Sequence, residues 1–355
     1  MSRDFEAPGS DHAEMVRRLI RTHGPISLSR FMGESNARYY AGKDPLGAGG
    51  DFVTAPEVSQ MFGELIGLWL ADMWIAAGRP QPVHYVELGP GRGTLAKDAL
   101  RSAKRYGLEP SVHLVEGSPV LRDIQQAALG PVNFHDDLTS VPADGPLLLV
   151  ANEFFDALPI RQLVRSADGW RERMVGLNEE RLVFVAGDQP MDAAVPPDWR
   201  EATQGTLIET CPAAAAIMQE IAARLSAQGG AALVIDYGHT ELRGGSTLQA
   251  VREHRKVDPL AAPGAADLTA YVDFETLARI ARAHDVRWLG TVSQGQWLTE
   301  LGIDMRAEGL ARLAPEYAER LQQDKRRLVA DDQMGLIFKV MGLAGPRWPG
   351  GPGFA

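Results

Sequence analysis

The stretch VELGPGRGTLAKDAL, from Val86 to Leu100, places three glycines in a tight turn between an apolar strand pattern and a helical pattern. The strand ends in Glu87, and the helix begins near Thr94. Glycines let a ligand approach the backbone because they lack a Cβ, and a helix start offers unpaired N–H donors to an anionic group. The stretch therefore predicts a site for a ligand with both cationic and anionic parts.

The spacing of this turn differs from the dinucleotide fingerprint. That fingerprint reads G-x-G-x-x-G, whereas this turn reads G-x-G-x-G and has Glu87 two residues before its first glycine. The second predicted strand ends in Glu116, twenty-three residues past Gly93, where a carboxylate can accept hydrogen bonds from both hydroxyls of a ribose. The two features together predict a nucleoside ligand and disfavour a nicotinamide dinucleotide.

Short apolar runs alternate with amphipathic helical patterns through the middle of the chain. We predict strands at residues 83–88, 111–116, 132–135, 147–151 and 231–236. We predict helices between them at residues 94–105, 119–129 and 211–228. Such alternation is typical of a parallel sheet with helices on both faces, so we predict an α/β fold with a Rossmann-like, doubly wound sheet. Further along we predict a helix, a strand, a mainly helical stretch and a final strand at residues 273–283, 286–292, 295–328 and 334–341.

The flanking segments follow other patterns. Residues 11–80 read as helices, and Thr54 to Glu57 has the sequence of a capping box. Residues 160–186 alternate around Asp168-Gly169, which is typical of antiparallel ribbon. We divide the chain into five regions. Residues 1–80 are a helical region with a glycine-rich lid loop at 42–52, and residues 81–159 are the cofactor-binding half of the core. Residues 160–205 are an inserted antiparallel ribbon, residues 206–342 are the second half of the core with a cap loop at 238–267, and residues 343–355 are a flexible tail.

The composition of the 355 residues is that of a globular protein, with 45% hydrophobic and 23% charged residues. The net charge of −10 disfavours nonspecific binding to nucleic acid or anionic lipid, and no run reaches the roughly 18 apolar residues of a membrane span. The single cysteine, Cys211, excludes an internal disulfide, and His239 and His254 are too far apart to indicate a metal. With no signal or transit pattern, we predict a cytoplasmic protein of bacterial type without membrane insertion.

The glycine turn, Glu116 and the strand order resemble the first motifs of class I S-adenosylmethionine methyltransferases. By this resemblance, Glu87 faces the methionine half of S-adenosyl-L-methionine and Glu116 faces the ribose. Asp136 and Asp137 follow the third strand, where such enzymes contact adenine, although each aspartate alone is equally compatible with capping a loop. The predicted cofactor-binding residues are Glu87, Leu88, Gly89, Gly91, Gly93, Glu116, Asp136, Asp137, Leu138 and Asn152.

The fourth strand leads into PLLLVANEFFDALPI, residues 146–160, at the position where methyltransferases acting on planar nitrogen often carry Asn/Asp-Pro-Pro-aromatic. Asn152 is a candidate for contact with the acceptor nitrogen or the cofactor, and the two phenylalanines for stacking or core packing. Both prolines are absent, which draws attention to Glu153. A carboxylate forked onto two nitrogens of a guanidinium localises the positive charge there and leaves the third nitrogen to attack. The alternative for Glu153 is to cap the following helix with Asp156.

The fifth strand ends in VIDYGH, residues 234–239, which the parallel sheet brings to the same edge. Ligands bind at the carboxyl ends of strands in open α/β sheets, so Asp236 and His239 are candidates for the acceptor pocket, with His239 as a base. A structural role is the alternative for each. The predicted catalytic residues are Glu153, Asn152, Asp236 and His239, with no metal ligand. A basic cluster that either holds an acidic partner or is a solvated loop comprises Arg252, His254, Arg255 and Lys256.

A narrower resemblance covers residues 15–342. The strings GDFVTAPEVSQMFGELIGLW, VELGPGRGTL, ANEFFDALPIRQ, VIDYGH and STLQAVREH occur in this order and are similar to the MidA family, to which a mitochondrial complex I assembly methyltransferase belongs. The resemblance implies a class I methyltransferase fold with an added helical and loop cap. It also implies N-methylation of a protein arginine, with a core subunit of the respiratory NADH dehydrogenase as the expected partner.

The residues leave two other functions open. A small-molecule O- or N-methyltransferase would use the same fold and cofactor motif, because the fold does not choose the acceptor. A non-catalytic assembly or binding protein could keep the cofactor site without turnover. The sequence leaves the methyl acceptor and the oligomeric state undetermined.

Overall fold

The structure is a computed structural model that describes residues 10–42, 54–252 and 255–354. The lid predicted for the loop at 42–52 lies outside the described residues, except for Gly42, which ends a helix. His254 of the basic cluster lies outside them as well. Over the ranges that are described, no helix combines the length and apolar character needed to cross a membrane.

The regular elements are numbered in chain order. The helices are α1 (Ser10–His23), α2 (Leu28–Gly42), α3 (Ala55–Val58), α4 (Gln60–Ala76), α5 (Thr94–Lys104), α6 (Pro119–Leu129), α7 (Pro212–Gln228), α8 (Phe274–Arg282), α9 (Gln294–Glu300), α10 (Ile303–Leu313), α11 (Ala318–Val329) and α12 (Met334–Ile337). The strands are β1 (Ile26–Ser27), β2 (His84–Leu88), β3 (Ser111–Val115), β4 (Asn133–His135), β5 (Leu147–Asn152), β6 (Arg161–Ser166), β7 (Gly169–Asn178), β8 (Arg181–Pro190), β9 (Leu207–Thr210), β10 (Gly230–His239), β11 (Gln249–Arg252), β12 (Arg255–Val257), β13 (Asp267–Thr269), β14 (Val272–Asp273), β15 (Arg287–Ser293) and β16 (Phe338–Ala344).

The chain divides into two compact units, each made of three segments. The first comprises Met1–Pro45, Asp156–Ala214 and Glu241–Tyr271, and the second comprises Leu46–Phe155, Ala215–Thr240 and Val272–Ala355. All of the predicted cofactor-binding and catalytic residues belong to the second unit.

The second unit contains an eight-stranded sheet in the order β15-β16-β10-β5-β2-β3-β4, with β14 also paired to β10. Strands β4, β3, β2, β5 and β10 are mutually parallel, and β16 runs antiparallel to both β10 and β15. All six residues of β5 are buried, as a central strand between helical layers requires. The predicted Rossmann-like, doubly wound α/β sheet is therefore confirmed.

Helix α4 forms much of the core of the second unit and packs closely on α5. A Cβ added to Gly67 would lie 2.1 Å from the carbonyl oxygen of Ala99, so glycine is required where the two backbones meet. Large side chains of α4 fill the core on either side of this contact, including Met61, Phe62, Ile66 and Trp69. This packing fixes the position of α5, which begins directly after the glycine turn.

The first unit contains α1, α2 and two antiparallel sheets. One sheet has the order β1-β7-β6-β9 with β8 paired to β7, so the antiparallel strands predicted at residues 160–186 are present. The other sheet has the order β12-β11-β13. The prediction of a loop or cap at 238–267 is therefore wrong in part, because residues 249–252 and 255–257 form strands within it. The glycine, proline and charge of the whole segment 238–267 obscured these two short strands in the sequence.

The predicted capping box at Thr54 does not form. Thr54 is the N-cap of α3, but its side chain makes no capping hydrogen bond, and the helix ends after one turn. Ser59 then caps α4, accepting a hydrogen bond from the N–H of Met61 at 3.3 Å. The predicted single helix is thus two helices, because Ser59 adopts an extended backbone and its hydroxyl caps the second one.

The C-terminal predictions also need correction. Residues 334–337 form helix α12, and the last strand begins at Phe338. The tail predicted to be flexible is packed: Trp348 is 8% exposed, and Nε1 of Trp69 donates to the carbonyl of Pro352 at 3.2 Å. The tail is ordered despite its glycine and proline content, because burial of its aromatic side chain stabilises the packed conformation.

Candidate active site

The carboxyl ends of β2 and β5 meet at the centre of the large sheet, where the direction of strand addition reverses. After β2 the chain adds β3 and β4 on one side, and later strands β5 and β10 lie on the other side. Open α/β sheets have a ligand-binding crevice at such a switch point. The glycine turn follows β2, and Asn152 ends β5, so the structure brings the predicted cofactor residues to this crevice.

The glycine turn has the backbone geometry that its composition predicts. Gly89, Gly91 and Gly93 have φ values of +60°, +55° and +79°, in the left-handed region that disfavours other residues. A Cβ on Gly89 would lie 2.8 Å from Cδ2 of Phe154. Of the two phenylalanines, Phe154 therefore lies against the glycine turn, whereas Phe155 is 3% exposed and packs in the core.

Glu87 is buried at the end of β2, with 2% of its surface exposed. The hydroxyl of Tyr85 donates to Oε2 of Glu87 at 2.5 Å. Burial is the dominant effect and raises the pKa of Glu87 to about 8, against which the hydrogen bond from Tyr85 acts. A cationic ligand group beside this carboxyl would favour its ionised form and be held by the charge.

Glu116 follows β3 and is held by two donors. Its Oε1 accepts from the N–H of Ser118 at 2.8 Å, and its Oε2 accepts from Nε2 of Gln125 at 3.2 Å. Burial raises the pKa of Glu116, and both donors oppose that rise by stabilising the charged form. Nε2 of Gln125 also donates to the carbonyl of Gly91 at 2.7 Å. This fully buried side chain therefore ties the glycine turn to Glu116.

The aspartates after β4 have local partners. Asp136 accepts from Arg122 at 2.5 Å, and the same guanidinium donates through Nε to the carbonyl of Glu116 at 2.6 Å. Oδ1 of Asp137 accepts from the N–H of Thr139 at 2.9 Å, and the Thr139 hydrogen bonds lower the pKa of Asp137. Both carboxylates are exposed, whereas Leu138 is buried. This geometry favours loop capping for the Asp137 side chain.

Asn152 and Glu153 lie side by side at the end of β5. Glu153 has φ +50°, an uncommon conformation for a residue with a side chain. Its Oε1 accepts from Nδ2 of Asn152 at 3.3 Å and from the N–H of Ala55 at 3.0 Å. Glu153 thus contacts the start of α3, and residues 153–160 contain no helix of the kind that the capping alternative invoked. Oδ1 of Asn152 is buried without a hydrogen-bond partner in the described residues.

Asp236 and His239 have different surroundings. Asp236 is completely buried, and its two carboxylate oxygens accept from the N–H groups of Phe155 and Tyr237 at 3.0 and 2.9 Å. These contacts fix the backbone after Glu153, so the structural alternative fits Asp236 better than a contact with the acceptor. His239 is partly buried opposite Asp273 in the β10–β14 pair. Its role as a base remains a prediction.

Several residues of this region had no signal in the sequence. Gln125, Arg122 and Tyr85 hold the predicted residues, but each looks like an ordinary helix or strand residue when read alone. Glu57, which the sequence indicated only as part of a capping box, also belongs to this region, because its Oε1 accepts from the hydroxyl of Thr94 at 2.5 Å at the start of α5. Over residues 10–42, 54–252 and 255–354, no group of three or more His, Cys, Asp or Glu could hold a metal ion.

The residues at this sheet edge fit S-adenosyl-L-methionine. A buried carboxyl is placed for a cation, a donor-held carboxylate is placed for hydroxyls, and the glycine turn admits a ligand close to the backbone. The unpartnered Oδ1 of Asn152 adds an acceptor that no described protein group satisfies. Each of these groups lies at or directly after the end of a parallel strand.

Comparisons with known proteins agree with this chemistry. The family model described as "Putative S-adenosyl-L-methionine-dependent methyltransferase" matches residues 65–292. The chain is 39% identical to "Protein arginine methyltransferase NDUFAF7, mitochondrial" of Xenopus tropicalis, over 91% of this chain and 83% of that protein. It is 36% identical to the Homo sapiens protein of the same name, over 96% of this chain and 86% of that protein. These names overturn the predicted cytoplasmic location, since both relatives are described as mitochondrial.

A solved structure is similar over nearly the whole chain. The crystal structure of a COG1565 superfamily member from Burkholderia thailandensis bound to S-adenosyl-homocysteine has a TM-score of 0.83 and 26% identity, and the match covers 97% of this chain and 96% of that chain. The native structure of a COG1565 superfamily protein from the same organism has a TM-score of 0.82 and 27% identity over the same shares. The predicted class I methyltransferase fold and cofactor are confirmed, and the chain belongs to this family of S-adenosyl-L-methionine-dependent methyltransferases.

Proposed function

We propose that this enzyme N-methylates an arginine side chain of a protein, with Glu153 gripping the guanidinium. The relatives named above are described as protein arginine methyltransferases, which supports an arginine acceptor. The observation that carries the proposal is the placement of Glu153 at the switch point with φ +50°. Backbone strain of this kind persists where the surrounding structure imposes it, and it clusters at functional sites.

The chemistry needs a nitrogen with an available lone pair. A guanidinium is protonated and its charge is delocalised, so it is a poor nucleophile in water. A carboxylate that accepts hydrogen bonds from two of its nitrogens concentrates the positive charge on that side. The third nitrogen then has more lone-pair character and points away from Glu153. When bound, S-adenosyl-L-methionine would supply the methyl group: the new carbon–nitrogen bond would form as the carbon–sulfur bond breaks, and the methylated nitrogen would lose one proton, for which His239 is the predicted base.

The remaining residues at this edge position the reacting groups. Nδ2 of Asn152 and the N–H of Ala55 hold Oε1 of Glu153, so the carboxylate direction is set before the acceptor binds. Asp236 holds the N–H of Phe155, two residues beyond Glu153. Orientation of this kind lowers the entropic part of the barrier, because fewer motions must be frozen when the reacting atoms meet.

For the acceptor we propose a protein subunit of the respiratory NADH dehydrogenase, modified during assembly of complex I. The resemblance to the MidA family supports this choice. Mass spectrometry of the NADH dehydrogenase subunits, with and without the gene, tests it. An arginine that is methylated only when the gene is present supports the proposal, and identical methylation in both strains contradicts it.

The substitution Glu153→Gln tests the role of the carboxylate. Glutamine keeps an oxygen that can accept from Ala55 and Asn152, so the fold and the cofactor site should persist. Without the charge, protein methylation should fall by about 100-fold or more, as for loss of a preorganised charge in other active sites. Affinity for S-adenosyl-homocysteine, measured by calorimetry, should stay within about threefold.

The surface substitution Glu180→Gln is a matched control, since Glu180 is exposed and its side chain pairs with Arg21 in the first unit. It should leave methylation unchanged. Full methylation by the Glu153→Gln variant would rule out the proposed grip. Transfer of labelled methyl groups to metabolites but never to polypeptide would instead support the small-molecule alternative. A cellular role that survives loss of all transfer would support an assembly protein without catalysis.

A further inference from the structure

Three histidines form a continuous row across β2, β3 and β4. Nδ1 of His84 lies 3.1 Å from Nε2 of His113, and Nδ1 of His113 lies 2.9 Å from Nε2 of His135. The row ends at Asp144 on one side, where Nε2 of His84 lies 2.9 Å from Oδ1 of the carboxylate. It ends at Ser140 on the other side, where Nδ1 of His135 lies 2.8 Å from the hydroxyl oxygen.

The row is inside the protein at its centre and reaches the surface only at its ends. His84 and His113 are 4% and 3% exposed, whereas the Asp144 side chain is 70% exposed. Neighbouring rings have centroids 5.0 and 5.1 Å apart and planes inclined by 66° and 40°, and among the described residues they form no cluster suited to a metal. The proposed methyl transfer uses none of them.

The hydrogen bonds of the row all run in the same donor-to-acceptor direction, because each neutral ring has one N–H donor and one nitrogen acceptor. An ionised carboxylate only accepts, so Nε2 of His84 must carry its proton toward Asp144. Nδ1 of His84 is then an acceptor, and it takes a hydrogen bond from Nε2–H of His113. The same step repeats between His113 and His135. Asp144 therefore selects the Nε2–H tautomer at all three rings.

The opposite direction is equally self-consistent if the group at position 144 donates. Each ring then carries its proton on Nδ1, and His135 donates to the hydroxyl oxygen of Ser140. That hydroxyl has one proton, which it can give either to His135 or to the carbonyl of Asp137, 3.2 Å away. With Asp144 as an ionised acceptor, the Ser140 hydroxyl therefore donates to Nδ1 of His135, and only a reversed row would redirect that proton to the Asp137 carbonyl.

The row joins two points of one connecting segment. The chain between β4 and β5 carries Asp137, Leu138, Ser140 and Asp144, and the row attaches it to the strands at Ser140 and at Asp144. Asp137 and Leu138 are the residues proposed for the adenine side of the cofactor. A shift at either attachment therefore changes the wall that adenine would contact.

We propose that His84, His113 and His135 are positioning residues that, directed by Asp144, hold the Asp137–Leu138 segment against the adenine of the cofactor through the hydrogen bond that Ser140 donates to His135. The inference rests on the proposed adenine-side role of that segment. Asp144, an exposed carboxylate at the far end of the row, thereby contributes to cofactor affinity.

Burial disfavours a charged ring at the centre of the row. The pKa of His113 is lowered to about 4, mainly by burial and also by the adjacent His84 and His135, while Asp144 acts in the opposite sense. Burial also lowers the pKa of His135, with Arg122 and Arg224 acting in the same direction and Asp136 and Asp137 against it. A proton added to Nδ1 of His113 would face the Nε2–H of His135, so this contact requires a neutral His113.

The first experiment reverses the row with Asp144→Lys in the intact protein, because an ammonium at position 144 donates to Nε2 of His84. Histidine ¹⁵N spectra near pH 7 should show Nε2–H tautomers at all three rings in the wild type and Nδ1–H tautomers in the variant. Calorimetry should show S-adenosyl-homocysteine binding weakened by about threefold or more. Glu109→Lys, an equal charge change at an exposed site before β3, should change neither.

The second experiment interrupts the row with His113→Leu, which keeps a buried apolar side chain but removes both ring nitrogens. Binding of S-adenosyl-homocysteine and of 5′-methylthioadenosine should weaken by the same factor, about fivefold, because both contain adenine. Wild-type affinity in both variants, or Nδ1–H tautomers in the wild type, would overturn the inference. Neither readout involves arginine methylation, so failure here is distinct from failure of the proposed reaction.

Discussion

Two carboxyl groups stand at the ends of the neighbouring parallel strands β2 and β3, and their surroundings differ. Glu87 is enclosed with a single hydroxyl donor, and burial raises its pKa to about 8. Glu116 is also desolvated, but the N–H of Ser118 and the amide of Gln125 stabilise its charged form. One strand end therefore holds a carboxyl whose pKa is raised to about 8, and the other holds a carboxyl whose charged form two donors stabilise.

Because of this difference, one sheet edge can recognise both ends of a nucleoside cofactor. Hydroxyl groups are held best by a carboxylate that stays charged, since charge-assisted hydrogen bonds are stronger than neutral ones. A cation can ionise a buried neutral carboxyl, which couples ligand binding to release of a proton. We therefore expect the end of β3 to contribute affinity and the end of β2 to contribute dependence on pH.

The largest effect should come from Glu116→Ala, which removes the acceptor proposed for the ribose hydroxyls. Two hydrogen bonds to a charged group are lost, so affinity for S-adenosyl-homocysteine should fall about 100-fold, equivalent to about 2.7 kcal/mol. Isothermal calorimetry measures this change. Glu109→Ala removes an exposed carboxylate near the same strand and is the control. A loss below about threefold would show that Glu116 does not face the ligand.

The second effect concerns Glu87 and pH. The free enzyme binds a proton on Glu87 at pH 7 because the pKa is about 8, and a nearby cation lowers that pKa. Binding of S-adenosyl-L-methionine should therefore release up to one proton, and affinity should rise by up to about tenfold from pH 6 to pH 7. Calorimetry in buffers with different ionisation enthalpies counts the proton. Glu87→Gln should abolish both effects, and an unchanged proton count in that variant contradicts the assignment.

A smaller effect is expected for Gln125→Leu, which keeps the buried volume but removes the link between Gly91 and Glu116. Affinity for S-adenosyl-homocysteine should fall about fivefold, as for one hydrogen bond. In the Glu116→Ala background the same substitution should cost less, because the carboxylate that Gln125 holds is already absent. Additive losses in the double variant would mean that Gln125 acts independently of Glu116.

The smallest effect should follow Asp137→Asn at the end of β4, where the carboxylate is exposed. Asparagine keeps an oxygen for the N–H of Thr139, so the turn should remain intact. Exposed charges contribute little, and affinity for S-adenosyl-homocysteine should change by about twofold or less. A loss of tenfold or more would place the Asp137 charge in direct contact with adenine and would extend the comparison to a third strand end.

Local strings of residues determined much of the cofactor half of the fold. The glycine turn after β2 and the acid after β3 were predictable because strand, turn and helix geometry depend on residues close together in the chain. The position of Asn152 and Glu153 at the same edge followed from the parallel order of the strands. The family strings added the cofactor, which composition and spacing alone left as a nucleoside with a cationic part.

Contacts between distant residues required the tertiary structure. Gln125 meets Gly91, and Ala55 meets Glu153, across 34 and 98 positions of the chain. The C-terminal tail looked flexible by composition, yet Trp348 is buried and Pro352 accepts a hydrogen bond from Trp69. The three histidines show the same limit, because they are separate residues in the sequence and become a row only when three strands align.

The parallel sheet, the glycine turn and the acids at the strand ends could be predicted from local residues, because they depend on local periodicity and on chain direction. The surroundings of each acid could not, because they come from contacts between distant segments. Burial raised the pKa of Glu87 despite its hydroxyl donor Tyr85, two donors held Glu116, and N–H groups of Phe155 and Tyr237 engaged Asp236. A carboxyl group's charge depends on its desolvation and its donors, and both are set by packing between segments far apart in the chain.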